Sequence, residues 1–330
     1  MSNDNKNFIG IGIVLLACIC GFMATVGIAA TWSQRFSKAP SVVYSKITTF
    51  NIPGTIIEVR ESCSDGQCID ACIQHVKNQG LESDLDLQNY HDEEVTLIYY
   101  NVDENSIHDP RVPEVPENLL AFQQDKSTHE KIWNYFNVLI PREHQGNLVQ
   151  FVVYTSQESS GKHEDTITGN WILKYNILSA EDVIETTETL VYLYGYHLML
   201  SPEQQIPWGE ICHQEYLHGC PTPESYANQF YLRFWKDIFA EWEEFDDNLQ
   251  KREEDMGLFY TKYQDQFINE FAAEDPVKDM VESWTEFMLY PRHTGDSIVD
   301  QKVNFFGEFP ELVELREKVI TGICTYEQTP

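Results

Sequence analysis

Lysine and arginine are scarce in this chain: 22 of them face 53 aspartates and glutamates in 330 residues, for a formal net charge of −31. A body so acidic is repelled by phosphate backbones and by anionic bilayer surfaces, which excludes nucleic acid as a partner class. No Gly-x-Ser-x-Gly elbow, Walker loop or dinucleotide fingerprint occurs in the sequence. The strained turn that exposes a nucleophilic serine and the glycine cradles that hold phosphates are therefore missing. GKHED (Gly161–Asp165) reads as a loop and not as a phosphate cradle. The acidic runs EWEEFDD (Glu241–Asp247) and REEDMG (Arg252–Gly257) lack the ligand spacing and glycine of a calcium loop, and read as solvated helix faces. There is no internal repeat and no low-complexity tract.

What is present is a composition, 42% hydrophobic and 13% aromatic, that suits a folded globule. Phe8–Ala30 (FIGIGIVLLACICGFMATVGIAA) is an uncharged run of 23 residues, long enough to span a bilayer core as a helix, and Trp32 follows at the interface. Cleavage after Ala29, or lipidation of Cys18 within LLAC, are rival readings. The run stays apolar well past Cys18, which favours an uncleaved anchor. Lys6 before the span, against Arg35 and Lys38 after it, weakly places the body in the cytoplasm. The cysteines outweigh that. Outside the span there are six, Cys63, Cys68, Cys72, Cys212, Cys220 and Cys324, and an even set reads as disulfides in an exported body. The expectation is a single-pass protein of the cell membrane with its body extracytoplasmic.

The chain divides into an anchor or signal segment (1–32), a stalk and cysteine-containing region (33–90) and a main domain (91–330). In the middle region TIIEVRES (Thr55–Ser62) alternates like a strand. QCIDACIQHVKNQG reads as a short helix closed by Gly80, with Cys68 and Cys72 on one face. Cys63, Cys68 and Cys72 match no strong zinc spacing, so disulfides, with Cys324 among the partners, are expected there. Strands follow at EVTLIYYNVD, LVQFVVYTS and WILKYNI. A helix at Asp125–Pro141 places Ile132, Tyr135, Phe136 and Leu139 on one side. SAEDVIETTETLVYLYGYHLML reads as a long helix opened by Ser179. The remainder is mostly helical. SYANQFYLRFWKDIFAEWEEF carries Phe230, Phe234, Trp235, Phe239 and Trp242 at core-like helical spacing. DPVKDMVESWTEFML opens with Asp275 as N-cap and Pro276 at the first position. DSIVDQKVNFFGEF and PELVELREKVI complete the chain. Strands first and helices last give an α+β class.

The segment TETLVYLYGYHLML (Thr187–Leu200) scans like a zinc-peptidase helix without the chemistry. H-E-x-x-H sets two imidazoles on one helix face with a glutamate as general base; no such motif occurs here. Five ordered blocks carry a resemblance: TLVYLYGYHLML, CHQEYLHGC, SYANQFYLRFW, FINEFAAEDPVKDMVESW and DQKVNFFGEFPELVELR, between Thr189 and Arg316. They resemble an exported bacterial family of zinc metallopeptidases of the gluzincin type, related to lethal-factor-like peptidases. That family reads roughly T-L-I-H-E-F-G-H-L-L-T-L, then a Cys-bracketed loop and SYLNQFYQRFW. The resemblance implies a zincin-like fold: a small sheet, an active-site helix and a mostly helical C-terminal part. It puts the family's zinc histidines on Tyr192 and Tyr196, its catalytic glutamate on Leu193, its third ligand on Lys278 and its carbonyl-polarising tyrosine on Phe271. All five are replaced, while Gly195, Asp279, Glu282, Ser283 and Trp284 match the scaffold. It also implies a Cys212–Cys220 disulfide.

The expectation that follows is a pseudopeptidase with no zinc cofactor and no hydrolysis, which binds a protein or peptide. Lys278 is expected to pair with an acid such as Glu282 or to reach the surface. His197 is expected to be a hydrogen-bonded core residue. The alternatives are an active zinc enzyme with ligands relocated to His197, His213 or His218, and a passive structural part of a cell-envelope assembly.

Overall fold

The computed structural model describes residues 69–82, 94–104, 106–166, 169–206, 219–245 and 249–327. The proposed membrane span, the stalk, Cys63, Cys68, Cys212, His213 and His218 lie outside them. Among the described residues no helix is long and apolar enough to cross a membrane.

The class is α+β, with one mixed sheet among the described residues. Its strands are β1 (Val95–Asp103), β2 (Ser106–Arg111), β3 (Leu148–Thr155), β4 (Gly161–Asp165) and β5 (Trp171–Asn176), in the order β2-β1-β3-β5-β4. β3 and β5 run parallel; the other neighbours are antiparallel. The GKHED segment is therefore an edge strand and not a loop. Nothing in its hydropathy alternates, because its inward positions are Gly161 and His163, while Lys162 and Glu164 lie on the other face.

Two helices cover one face of the sheet. The first described helix, α1 (Ile69–Asn78), precedes the sheet, and α2 (Leu120–Gln124) leads into α3 (Lys126–Leu139). Asp125 caps α3 by accepting from the Thr128 amide at 3.2 Å. The expected apolar stripe of Ile132, Tyr135, Phe136 and Leu139 is buried. α4 (Val183–Leu200) lies beside it, tied by Tyr135 to Thr187 (2.8 Å) and by Tyr175 of β5 to Thr186 (2.8 Å). α4 does not begin at Ser179. Asn176 caps a 3-10 turn over Ile177–Glu181, the chain then becomes extended at Asp182, and the Asp182 carboxylate caps the helix through the Ile184 amide at 2.7 Å.

The C-terminal half is helical: α5 (Tyr226–Phe234), α6 (Phe239–Glu243), α7 (Leu249–Tyr263), α8 (Pro276–Leu289), α9 (Ile298–Phe305) and α10 (Pro310–Cys324). The aromatic segment expected as one helix is broken between α5 and α6. Trp235 is drawn fully into the core, where its indole donates to Asp279 at 2.7 Å. α8 starts as its sequence specifies, with the Asp275 carboxylate accepting from the amides of Val277 and Lys278, each at 2.8 Å. Its end is closed by buried Arg316 of α10, which donates to the carbonyls of Phe287 (2.6 Å) and Tyr290 (2.8 Å). α1 docks on α10 through a Cys72–Cys324 disulfide, and His75 meets the Tyr326 carbonyl at 2.9 Å.

α4 and α8 pack closely because Gly195 has no side chain. A Cβ there would stand 2.5 Å from Cδ1 of the buried Trp284 indole and 3.0 Å from Val281. Gly195→Ala gains about 1 kcal/mol of helix propensity but must push the two helices apart, an overpacking cost of about 1–3 kcal/mol, occasionally more. We expect a net loss of stability in urea unfolding; an alanine variant more stable than the parent would contradict this contact.

Candidate functional site

Tyr192 and Tyr196 lie one turn apart on α4. Their rings meet edge to face with centroids 5.3 Å apart, and the Tyr192 hydroxyl donates to that of Tyr196 over 3.3 Å. Phe271 stands in a 3-10 turn (Phe271–Glu274) that feeds α8, and its ring is tilted against Tyr192 at 6.3 Å. Lys278, in the first turn of α8, lays its ammonium over the Phe271 ring, 4.4 Å from the centroid. Positions 192, 196, 271 and 278 are thus brought together from two packed helices and the turn between them. Leu193 faces another way. It is buried against β4, where a Cβ on Gly161 would stand 2.5 Å from its Cδ1.

The charges meet one of the two expected fates of Lys278, pairing with an acid. Lys278 pairs with Glu274, one turn back, and not with Glu282. Glu282 is buried and accepts from the Asn269 side-chain amide at 2.7 Å. The reason is reach: a lysine at the third helical position folds over the N-terminus of its helix, where Glu274 and Phe271 lie.

Burial raises the Tyr192 phenol well above its ordinary value, assisted by the Tyr196 phenol and then by Glu282. Burial raises Tyr196 as well, followed by the charge of Asp275. Both therefore stay neutral hydroxyls at physiological pH. Zinc takes deprotonated or neutral nitrogen, sulfur and carboxylate ligands, so two protonated phenols and an ammonium do not fit it. Leu193 offers no base.

His197 is buried as expected, but its Nδ1 has no hydrogen-bond partner. The ring is fixed by stacking on Trp171 at 4.5 Å and 14°. Gly146, at φ +58°, lies so close that a Cβ there would be 2.6 Å from His197 Nε2. Burial pulls His197 down to about 4, which leaves it a neutral imidazole. His163 on β4 completes the group, and sequence reasoning alone does not single it out. It stacks on Tyr196 at 6.2 Å and lies 5.4 Å from Trp171, and burial pulls it too down to about 4. Its Nε2 is 3.6 Å from Asp165, beyond hydrogen-bond range. The signal for it is positional: in a strand, residues 161, 163 and 165 share the face that meets α4.

Among the described residues no set of three or more His, Cys, Asp or Glu side chains is arranged to hold a metal ion. Cys220 is disulfide-bonded, and its expected partner Cys212 lies outside the described residues. Comparison with models of known families, with curated proteins and with solved structures gives no match.

What the arrangement offers is a surface: aromatic rings, neutral hydroxyls and carboxylates, beside an edge strand whose outer side pairs with no other strand among the described residues. It offers no ionised nucleophile aimed at a common point.

Proposed function

We propose that the chain is a membrane-anchored, extracytoplasmic pseudopeptidase that binds an extended peptide or protein segment without zinc and without hydrolysis. The fold would be zincin-like, with α4 as the former active-site helix and β4 as the edge strand that a peptide extends. The observation that carries this reading is the convergence of Tyr192, Tyr196, Phe271 and Lys278. These are the positions at which the resemblance implies ligands and a carbonyl-polarising tyrosine, and each now holds a group unable to do that work. Support also comes from β4, which ends the sheet order and packs on α4 through Gly161 and Leu193. An added strand would satisfy its outer backbone groups, as in other cases of strand addition.

The test is selection of extended peptides on the full-length protein. Bound peptides should survive recovery uncut. Methylation of alternate backbone nitrogens should weaken them about tenfold or more, because each lost main-chain bond is worth roughly 0.5–1.5 kcal/mol. Failure to enrich any peptide over background would remove the binding role, and cleaved products would restore the enzyme alternative.

A further inference from the structure

We propose that Tyr192, Tyr196 and Phe271, with Glu282 and Glu274 beside them, form a receptor for a cationic side chain of the bound peptide, and that Lys278 occupies it in the free protein. This rests on the peptide-binding reading of the same site and names the chemistry of its guest.

Three rings from two elements stand within 6.3 Å of one another in sequence along the cluster, Tyr196 to Tyr192 to Phe271. Aromatic faces carry negative quadrupole charge and attract ammonium and guanidinium groups, most strongly where water is thinned out. The carboxylates add to that field. Glu282 is buried, Glu274 is partly exposed, and neither phenol ionises to compete with them. The two tyrosines and Phe271 are largely covered, each keeping a minor part of its surface in contact with solvent.

The cluster already holds a cation. The Lys278 ammonium sits over Phe271 and pairs with Glu274, with 27% of its side chain exposed. Its position works against it. Lys278 stands in the first turn of α8, where the helix dipole presents its positive end and disfavours a cation. The occupant is therefore tethered but held against an opposing field. A lysine or arginine arriving on a peptide along β4 meets the same field but adds main-chain bonds to the edge strand, and Lys278 has solvent to swing into. The net charge of −31 also draws basic segments toward the protein before contact.

The experiment compares two capped peptides that differ at one residue, lysine in one and norleucine in the other, titrated into the full-length protein. The lysine peptide should bind about three- to thirtyfold tighter, the range of a partly desolvated cation–π contact. Lys278→Met removes the occupant and should tighten the lysine peptide several-fold further, and by more than it tightens the norleucine peptide. Tyr192→Leu should erase the preference; Phe271→Leu is the second variant should the first fail to fold.

If both peptides bind alike and Lys278→Met changes neither, the receptor is wrong while peptide binding stands. If neither peptide binds, tetramethylammonium is titrated into the Lys278→Met protein and the tyrosine ring signals are followed by NMR. Saturable shifts at Tyr192 and Tyr196 would keep the receptor without the peptide reading. No shift would overturn it.

Discussion

A chain carrying Tyr192→His, Leu193→Glu, Tyr196→His and Lys278→Glu should bind zinc at least about a hundredfold more tightly than the parent, even after the ten- to hundredfold that missing outer-shell partners cost. The geometry supports it. The side chains at 192 and 196 already meet, with hydroxyls 3.3 Å apart, and the chain from Phe271 to Lys278 closes on them. Two imidazoles at that spacing share a helix face, and a glutamate at 278 supplies the third ligand. Glutamate also suits the first turn of α8, where the ammonium of Lys278 does not. Two costs are expected. Leu193→Glu buries a carboxylate against Gly161 without a partner. Lys278→Glu sets a carboxylate one turn from that of Glu274, a repulsion of roughly 0.2–0.5 kcal/mol. The apo variant should therefore melt below the parent and rise with added zinc. Activity should lag behind binding, because Phe271 has no hydroxyl to polarise a carbonyl. A folded quadruple variant that binds zinc no better than the parent would show that these positions do not form a site.

Lys302→Met should cost about 3–5 kcal/mol, the usual penalty for leaving a buried charge unpaired. Lys302 and Asp279 are both fully buried, with Nζ 2.6 Å from Oδ2. The ammonium also donates to the Gln266 carbonyl at 2.6 Å and lies 4.1 Å above the Phe267 ring. The pair joins α8 and α9 to the turn that follows α7 (Gln264–Gln266) and, through the Trp235 indole, to α5. Burial pushes the Asp279 carboxyl up and the Lys302 ammonium down, against the attraction between them. Without Lys302, Asp279 is pushed further toward its protonated form. A carboxyl raised in the folded state stabilises the fold where it is protonated and loses that contribution as pH rises. The deficit of Lys302→Met should therefore shrink as pH falls toward about 4, the ordinary carboxyl range. Lys302→Met combined with Asp279→Leu should recover most of the loss, since apolar replacement of a buried pair is often neutral or better. Urea unfolding across pH measures both; a single variant as stable as the parent would remove the pair from the structural account.

The elements that the sequence announces are those with local chemistry. Asp275 followed by Pro276, and Asp125 before an apolar stripe, specify the starts of α8 and α3 within a few residues. What is not legible depends on distant partners. Ser179 looks like a cap, yet Asn176 closes a separate turn first and hands the role to Asp182. The aromatic run from Tyr226 has helical spacing throughout, but Asp279, far along the chain, holds Trp235 out of register. β4 is invisible in hydropathy because an edge strand needs few apolar residues. β2 is equally hidden, as its SIHDPR sequence contains proline and alternates weakly. The convergence of 192, 196, 271 and 278 is expected only through the resemblance. His163, which stacks on Tyr196, has no sequence signal apart from sharing a strand face with Gly161.

The central claim is that this frame binds and does not hydrolyse. Its most direct test is metal analysis of the full-length protein, purified without chelators, alongside incubation with casein and unfolded peptides. The account predicts no stoichiometric zinc and no cleavage. One tightly held zinc per chain, with peptide cleavage lost on chelation and regained on zinc addition, would contradict it.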